Sequence, residues 1–254
     1  MPFVTVCSHR IEFERVAVTR ADRPTLVFLH EGLGSVAMWS DFPSRVAHAT
    51  NCNALVYSRC GYGNSEPLRE PRTVSYMHDE ALATLPELLD QLAIDRPILV
   101  GHSDGASIAL IHAGGSRRPV GGLILMAPHV LVEDISIASI AAAKLTYETS
   151  DLRAKLAQYH ADVDSAFWGW NRIWLDPDFR RWNIEDCLPR ISCPVIAMQG
   201  EDDEYSTMEQ LARIGRQVAD AELLTLKDCR HSPHRDQPEA VIEAITFFVD
   251  RVTA

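Results

Sequence analysis

Short, continuous apolar runs recur along the chain, separated by segments whose apolar residues return at helical spacing. Residues 25–30, 53–59, 96–101, 122–127, 194–199 and 222–227 each form such a run. Strands that are apolar without alternation suit a parallel sheet covered by helices on both faces. Between them, Met77, Ala81, Leu82, Leu85, Leu88, Leu89 and Leu92 line one face of a helix over 74–92. Pro86 lies inside that pattern and is expected to kink or break it. Residues 209–218 and 238–252 also read as helices, and 10–18 as an antiparallel edge strand or hairpin ahead of the parallel part. This rhythm predicts an α/β fold with a doubly wound, mostly parallel sheet.

One interval departs from the rhythm. Residues 130–191 contain helical stretches at 135–147 and 152–160 but no convincing strand. Phe167, Trp168, Trp170, Trp174, Phe179 and Trp182 cluster behind them. The expected organisation is a core of 1–129 and 192–254 carrying a helical cap or lid at 130–191. The aromatic cluster either builds that insertion's own core or lines an apolar pocket, with Trp168 and Trp174 as candidate pocket residues.

The chemistry concentrates where the third apolar run ends, at Gly101-His102-Ser103-Asp104-Gly105-Ala106, with a helical pattern behind it through Ile108, Ile111 and His112. Strand, G-x-S-x-G turn and helix in that order make a nucleophile elbow. The serine sits in a strained turn, and side chains two positions away on either side would strike the neighbouring strand and helix. A serine hydroxyl needs a base and an orienting carboxylate. Two later loops offer them: Gly200-Glu201-Asp202-Asp203-Glu204 and Asp228-Cys229-Arg230-His231-Ser232-Pro233-His234. Both follow predicted strands and open on the sheet edge where ligands of open α/β sheets bind.

With these segments, His30-Glu31-Gly32-Leu33-Gly34-Ser35 and Ser58-Arg59-Cys60-Gly61-Tyr62-Gly63-Asn64-Ser65, the chain resembles the α/β-hydrolase superfamily over nearly its whole length. The resemblance implies a serine esterase or lactonase without metal or cofactor: Ser103 as nucleophile, His231 as base, and Asp203 as acid with Asp202 as alternative. It also implies an oxyanion hole from the N–H groups of Gly32 (or Leu33) and Asp104. His30 is then a structural histidine beneath the loop, and His234 a surface residue or a support behind the site. Two positions depart from the family pattern. Glu31 stands beside the oxyanion site, where a carboxylate must turn away into the loop or meet a cationic part of the substrate. Cys60 reads as a small buried hydrophobe. His129 and Glu133, at the start of the insertion, either reach the pocket or serve as a hinge. Glu31, Leu33 and His129 join the two tryptophans as candidate substrate contacts.

Composition narrows the partners. The 254 residues are 46% hydrophobic, enough for one large core, and the formal net charge of −11 disfavours nucleic acid and anionic membranes. The six cysteines are scattered, as expected of reduced thiols in a soluble, cytoplasmic protein. His231-Ser232-Pro233-His234 carries metal-ligand spacing, but the internal proline and the missing third ligand argue against a metal. The expected partner is a largely apolar small-molecule ester or lactone. Thioester and carbon–carbon bond hydrolysis use the same triad, and a non-catalytic ligand-binding protein is the reading from another class.

Overall fold

The computed structural model describes residues 1–18 and 23–254. Eight strands form one sheet: β1 (Phe3–Val6), β2 (His9–Val16), β3 (Leu26–Leu29), β4 (Ala54–Tyr57), β5 (Ile98–His102), β6 (Gly122–Met126), β7 (Val195–Gly200) and β8 (Ala221–Leu226), in the order β1-β2-β4-β3-β5-β6-β7-β8. β1 and β2 pair antiparallel, β2 joins β4 antiparallel, and the remaining pairs are parallel. All six apolar runs are strands of this sheet, and 10–18 is the second arm of an N-terminal hairpin.

Continuous apolar character has the expected cause. Along β3, Val27 and Leu29 join the core on one face while Leu26 and Phe28 join the core on the other. Helices α1 (Phe42–Thr50) and α10 (Pro238–Thr253) cover the second face through Val46, Ile245 and Phe248. The first is covered by α2 (Tyr76–Asp79), α3 (Leu85–Gln91), α4 (Asp104–Gly115) and α8 (Glu209–Gln217), and a short α9 (Pro233–Asp236) precedes α10. Pro86 does not break its helix. The α-helical pattern is interrupted, not ended: a π-helical turn at Glu80–Thr84 joins α2 to α3 directly ahead of Pro86, which lies in α3's first turn.

Between β6 and β7 the chain is helical: α5 (Asp134–Thr149), α6 (Leu152–Leu156) and α7 (Val163–Trp174), then two 3-10 turns at Phe179–Arg181 and Leu188–Arg190. An antiparallel bridge, Leu131 to Asn183, joins the two ends of this interval. The chain crosses from one side of β3 to the other between β4 and β5. That switch sets the loop after β3 beside the elbow after β5, at the edge where crevices form in such sheets.

Candidate active site

Ser103 lies between β5 and α4 with φ 52° and ψ −118°, a conformation that ordinary residues adopt at a cost of about 1–3 kcal/mol. Its N–H bonds to Met126 O at 2.9 Å, which fixes the turn against β6. The flanking glycines are required by space. A Cβ on Gly101 would stand 2.5 Å from Ala106 Cα, and one on Gly105 would stand 2.0 Å from Leu29 O. The elbow therefore exists because two backbones pass where side chains would be.

Three loops then converge. Ser103 Oγ is 3.0 Å from His231 Nε2, and His231 Nδ1 is 2.8 Å from Asp203 Oδ1. Because the carboxylate only accepts, Nδ1 carries the proton and Nε2 presents its lone pair to the serine hydroxyl. Asp203 also accepts from Tyr205 N–H at 2.8 Å and from Ser206 Oγ at 2.9 Å. Burial alone would raise its pKa; the hydrogen bond and charge of His231, then the Tyr205 N–H, outweigh that and bring it to about 2. Asp202, the alternative acid, is exposed.

The loop after β3 places Gly32 on the wall of the same cavity as Ser103 and Asp104. Asp104 is the first residue of α4, so its N–H has no intrahelical partner and lies at the positive end of the helix dipole. A Cβ on Gly32 would lie 2.2 Å from Trp170 Nε1. This close approach by the helical insertion makes glycine obligatory there. His30 accepts from Arg59 N–H through Nε2 at 3.1 Å, so its Nδ1–H donates to Glu31 O at 2.7 Å. Burial, then Arg59, push its pKa well down, and it is the neutral structural histidine expected.

Below the site runs a buried polar network that the residue pattern had not indicated. Arg59, 1% exposed, donates to His30 O through Nη1 and to Glu31 O through Nη2 at 3.0 Å. Its Nη2 also lies 3.9 Å from the buried Asp104 carboxylate. That carboxylate accepts from Tyr76 OH at 2.7 Å and from Trp174 Nε1 at 3.2 Å. In the sequence Arg59 stands only as part of a matching segment; its burial depends on strand order, which residue types do not reveal.

The cavity, of about 250 Å³, is lined by Leu33, Ile140, Trp170, Trp174 and Tyr205 on its apolar side. Glu31, His129, Ser136 and Glu204 supply polar groups, and among the described residues neither lysine nor arginine lines it. His129, buried against Trp174, is depressed to about 3 by desolvation and then by His231, so it is neutral. Glu133 is not on the cavity wall; its carboxylate accepts from Thr207 N–H, Thr207 Oγ1 and Gln210 Nε2 at 2.6–2.9 Å.

One expectation needs correction. Trp168 does not line this cavity; it faces a separate surface groove with Leu68, Arg72 and Arg172. Trp170 and Trp174 are four apart on α7 and share a face, whereas Trp168 is about 200° round from Trp170. Trp170 is thus the pocket residue that was missed, and its spacing from Trp174 carried the signal. Of the two readings of His234, the support behind the site holds: it is buried, with its ring 4.8 Å from that of Trp39. Glu31 borders the cavity, yet its carboxylate tucks beneath its own loop, 3.5 Å from His102 Nδ1. Cys60 is half-buried, with Sγ 3.3 Å from Glu66 O.

The family model described as alpha/beta hydrolase family matches residues 26–244. The chain belongs to the alpha/beta hydrolase family. Among its relatives, the sn-1-specific diacylglycerol lipase ABHD11 of Danio rerio is 24% identical over 260 residues, covering 91% of this chain and 80% of that protein. A proline iminopeptidase of Lactobacillus crispatus (strain ST1) is 22% identical over 279 residues, covering 94% of each. The enol-lactonase structure from Burkholderia xenovorans LB400 superposes with a TM-score of 0.77 at 17% identity, covering 98% of this chain and all of that one. Membership of this family makes the chain a hydrolase. Among the described residues no helix is long and apolar enough to cross a membrane.

Proposed function

We propose that this hydrolase cleaves a small, uncharged and largely apolar carboxylic ester or lactone through an acyl-enzyme on Ser103. The continuous hydrogen-bond chain Ser103 Oγ–His231–Asp203, beside the N–H groups of Gly32 and Asp104, carries this reading. Ser103 Oγ attacks the carbonyl carbon as its proton passes to His231 Nε2, while Asp203 holds Nδ1–H and offsets the imidazolium charge. The oxyanion accepts from the two N–H groups, each donor contributing roughly 3–4 kcal/mol of transition-state stabilisation. His231 returns the proton to the leaving alkoxide, then takes one from water, which attacks the acyl carbon and frees the acid and Ser103.

Cavity volume and lining argue for the substrate class. About 250 Å³ accepts a short acyl or aromatic group, and Ile140, Trp170 and Trp174 favour an apolar one. Glu204 on the wall, with no lysine or arginine among the described residues lining it, disfavours a carboxylate- or phosphate-bearing substrate. We read residues 130–191 as a cap that supplies part of this wall through Ile140, Trp170 and Trp174.

A panel of p-nitrophenyl acetate, butyrate and benzoate, a neutral γ-lactone, the monoester of succinate and an aminoacyl p-nitroanilide tests the reading. It predicts Ser103-dependent turnover of the neutral esters or the lactone, with the succinate monoester at least about tenfold poorer in kcat/KM. Turnover confined to the aminoacyl amide would replace ester with peptide-type hydrolysis on the same residues.

A further inference from the structure

His102, the residue before Ser103, is 1% exposed and stands between two groups that can only accept a proton. Its Nε2 lies 2.7 Å from the carbonyl oxygen of His231, so Nε2 carries a hydrogen. Its Nδ1 faces Glu31 Oε2 at 3.5 Å. In a neutral ring with Nε2–H, Nδ1 would turn a lone pair toward a carboxylate in a buried site, which is repulsive. A proton on Nδ1 makes the same geometry an ion pair.

The other neighbours of Glu31 do not supply that charge. His30 has one proton, committed to Glu31 O, and its second nitrogen accepts from Arg59 N–H. His234 packs edge-on to His102 at 4.9 Å and against Trp39, and burial pushes its pKa well down, despite Glu31. His231, with its ring 5.2 Å from that of His102, is engaged by Asp203 and Ser103. Arg59 reaches the Glu31 carbonyl, not its carboxylate. Burial raises the pKa of the Glu31 carboxyl, but contact with His102 holds it well below the usual carboxylate range. The carboxylate is folded so tightly under its loop that a Cβ on Gly34 would lie 2.4 Å from its Oε2.

We infer that His102 is an imidazolium ion paired with Glu31, and that the pair positions three catalytic loops with a single proton. Glu31 adjoins Gly32, whose N–H would meet the oxyanion. His102 adjoins Ser103. The Nε2–H of His102 holds the backbone of His231. A proton on Nδ1 therefore ties oxyanion donor, nucleophile and base together without touching the substrate. Glu31 and His102 are positioning residues, and their functional weight rests on the serine-hydrolase reading above.

The proton is observed directly by two-bond 1H–15N correlation of the histidine rings in the 15N-labelled full chain at neutral pH. His102 is assigned by its disappearance in His102→Gln. The inference predicts an imidazolium pattern for His102 in wild type and an Nε2–H neutral pattern in the near-isosteric Glu31→Gln. A neutral ring in wild type, or an unchanged imidazolium in Glu31→Gln, would overturn it. In kinetics, Glu31→Gln should lower kcat on an activated ester about tenfold to a hundredfold while KM moves less than about twofold. A wild-type kcat in Glu31→Gln would overturn the positioning role. Absence of ester turnover in wild type would count against the hydrolase reading alone, because the ring spectra judge the ion pair independently.

Discussion

Replacing Gly32 by alanine adds one methyl group where the structure leaves no room for it. The new carbon would stand 2.2 Å from Trp170 Nε1 and 2.3 Å from Trp170 Cδ1, more than 1 Å inside ordinary contact at about 3.5 Å. Either Trp170 or the loop after β3 must move. The loop is restrained by Arg59, which donates to both His30 O and Glu31 O, while Trp170 is 7% exposed on α7 with its ring 5.9 Å from that of Phe167. Relief therefore divides between a backbone shift of Gly32, the proposed oxyanion donor, and displacement of the indole. Loss of one oxyanion donor costs about 2.7–4 kcal/mol, or roughly 10²–10³ in kcat. Gly32→Ala should accordingly lower kcat for a p-nitrophenyl ester about a hundredfold, with circular dichroism unchanged. Trimming the obstacle in Gly32→Ala/Trp170→Ala should recover at least about tenfold of the loss relative to Trp170→Ala alone, a positive coupling expected of groups in contact. A Gly32→Ala variant within about threefold of wild type, or a double variant with no coupling, would refute the reasoning.

Asp203 should leave a signature in stability against pH. Its folded pKa of about 2 lies below the ordinary 3.8, so its ionised form stabilises the fold above about pH 4, and that contribution fades as pH falls toward 2. At roughly 1.4 kcal/mol per unit, the nearly two units amount to about 2–3 kcal/mol. Urea denaturation should show Asp203→Asn less stable by about that amount at pH 7, with the gap closing near pH 2.5; a gap independent of pH would refute the assignment. Arg59→Met would leave the Asp104 carboxylate and two carbonyls without their buried cation, so a loss of about 3–5 kcal/mol is expected in the same assay, and one below about 1 kcal/mol would contradict the network. Trp168→Ala should keep kcat/KM on neutral esters within about twofold, whereas Trp174→Ala, stripped of its cavity wall and its bond to Asp104, should fall more than about tenfold; equal effects would refute the division between the two faces of α7.

What the residue pattern disclosed, and what it hid, follows from the range of the forces involved. The parallel strands were legible because burial on both faces demands uninterrupted apolar residues, as in Leu26–Leu29. The elbow was legible because two glycines mark two backbone approaches, and the loops bearing Asp203 and His231 because each follows such a strand. Helix α7 was less legible: it appeared as an aromatic cluster, and without its axis Trp168 and Trp170 could not be assigned to opposite faces. Least visible were contacts between distant segments. Arg59 to Asp104, His102 to the His231 carbonyl, and Glu133 to Thr207 depend on which strands lie side by side, and residue type gives no hint of it.

Covalent capture of Ser103 tests the central claim most directly. Intact-mass measurement after treatment with a fluorophosphonate should show one adduct on the wild-type chain, mapped by peptide fragmentation to Ser103. It should show none on Ser103→Ala, and markedly slower labelling of Asp203→Asn, whose His231 has lost its anionic partner. Equal labelling of wild type and Ser103→Ala, or an adduct on another residue, would contradict the assignment of Ser103 as nucleophile.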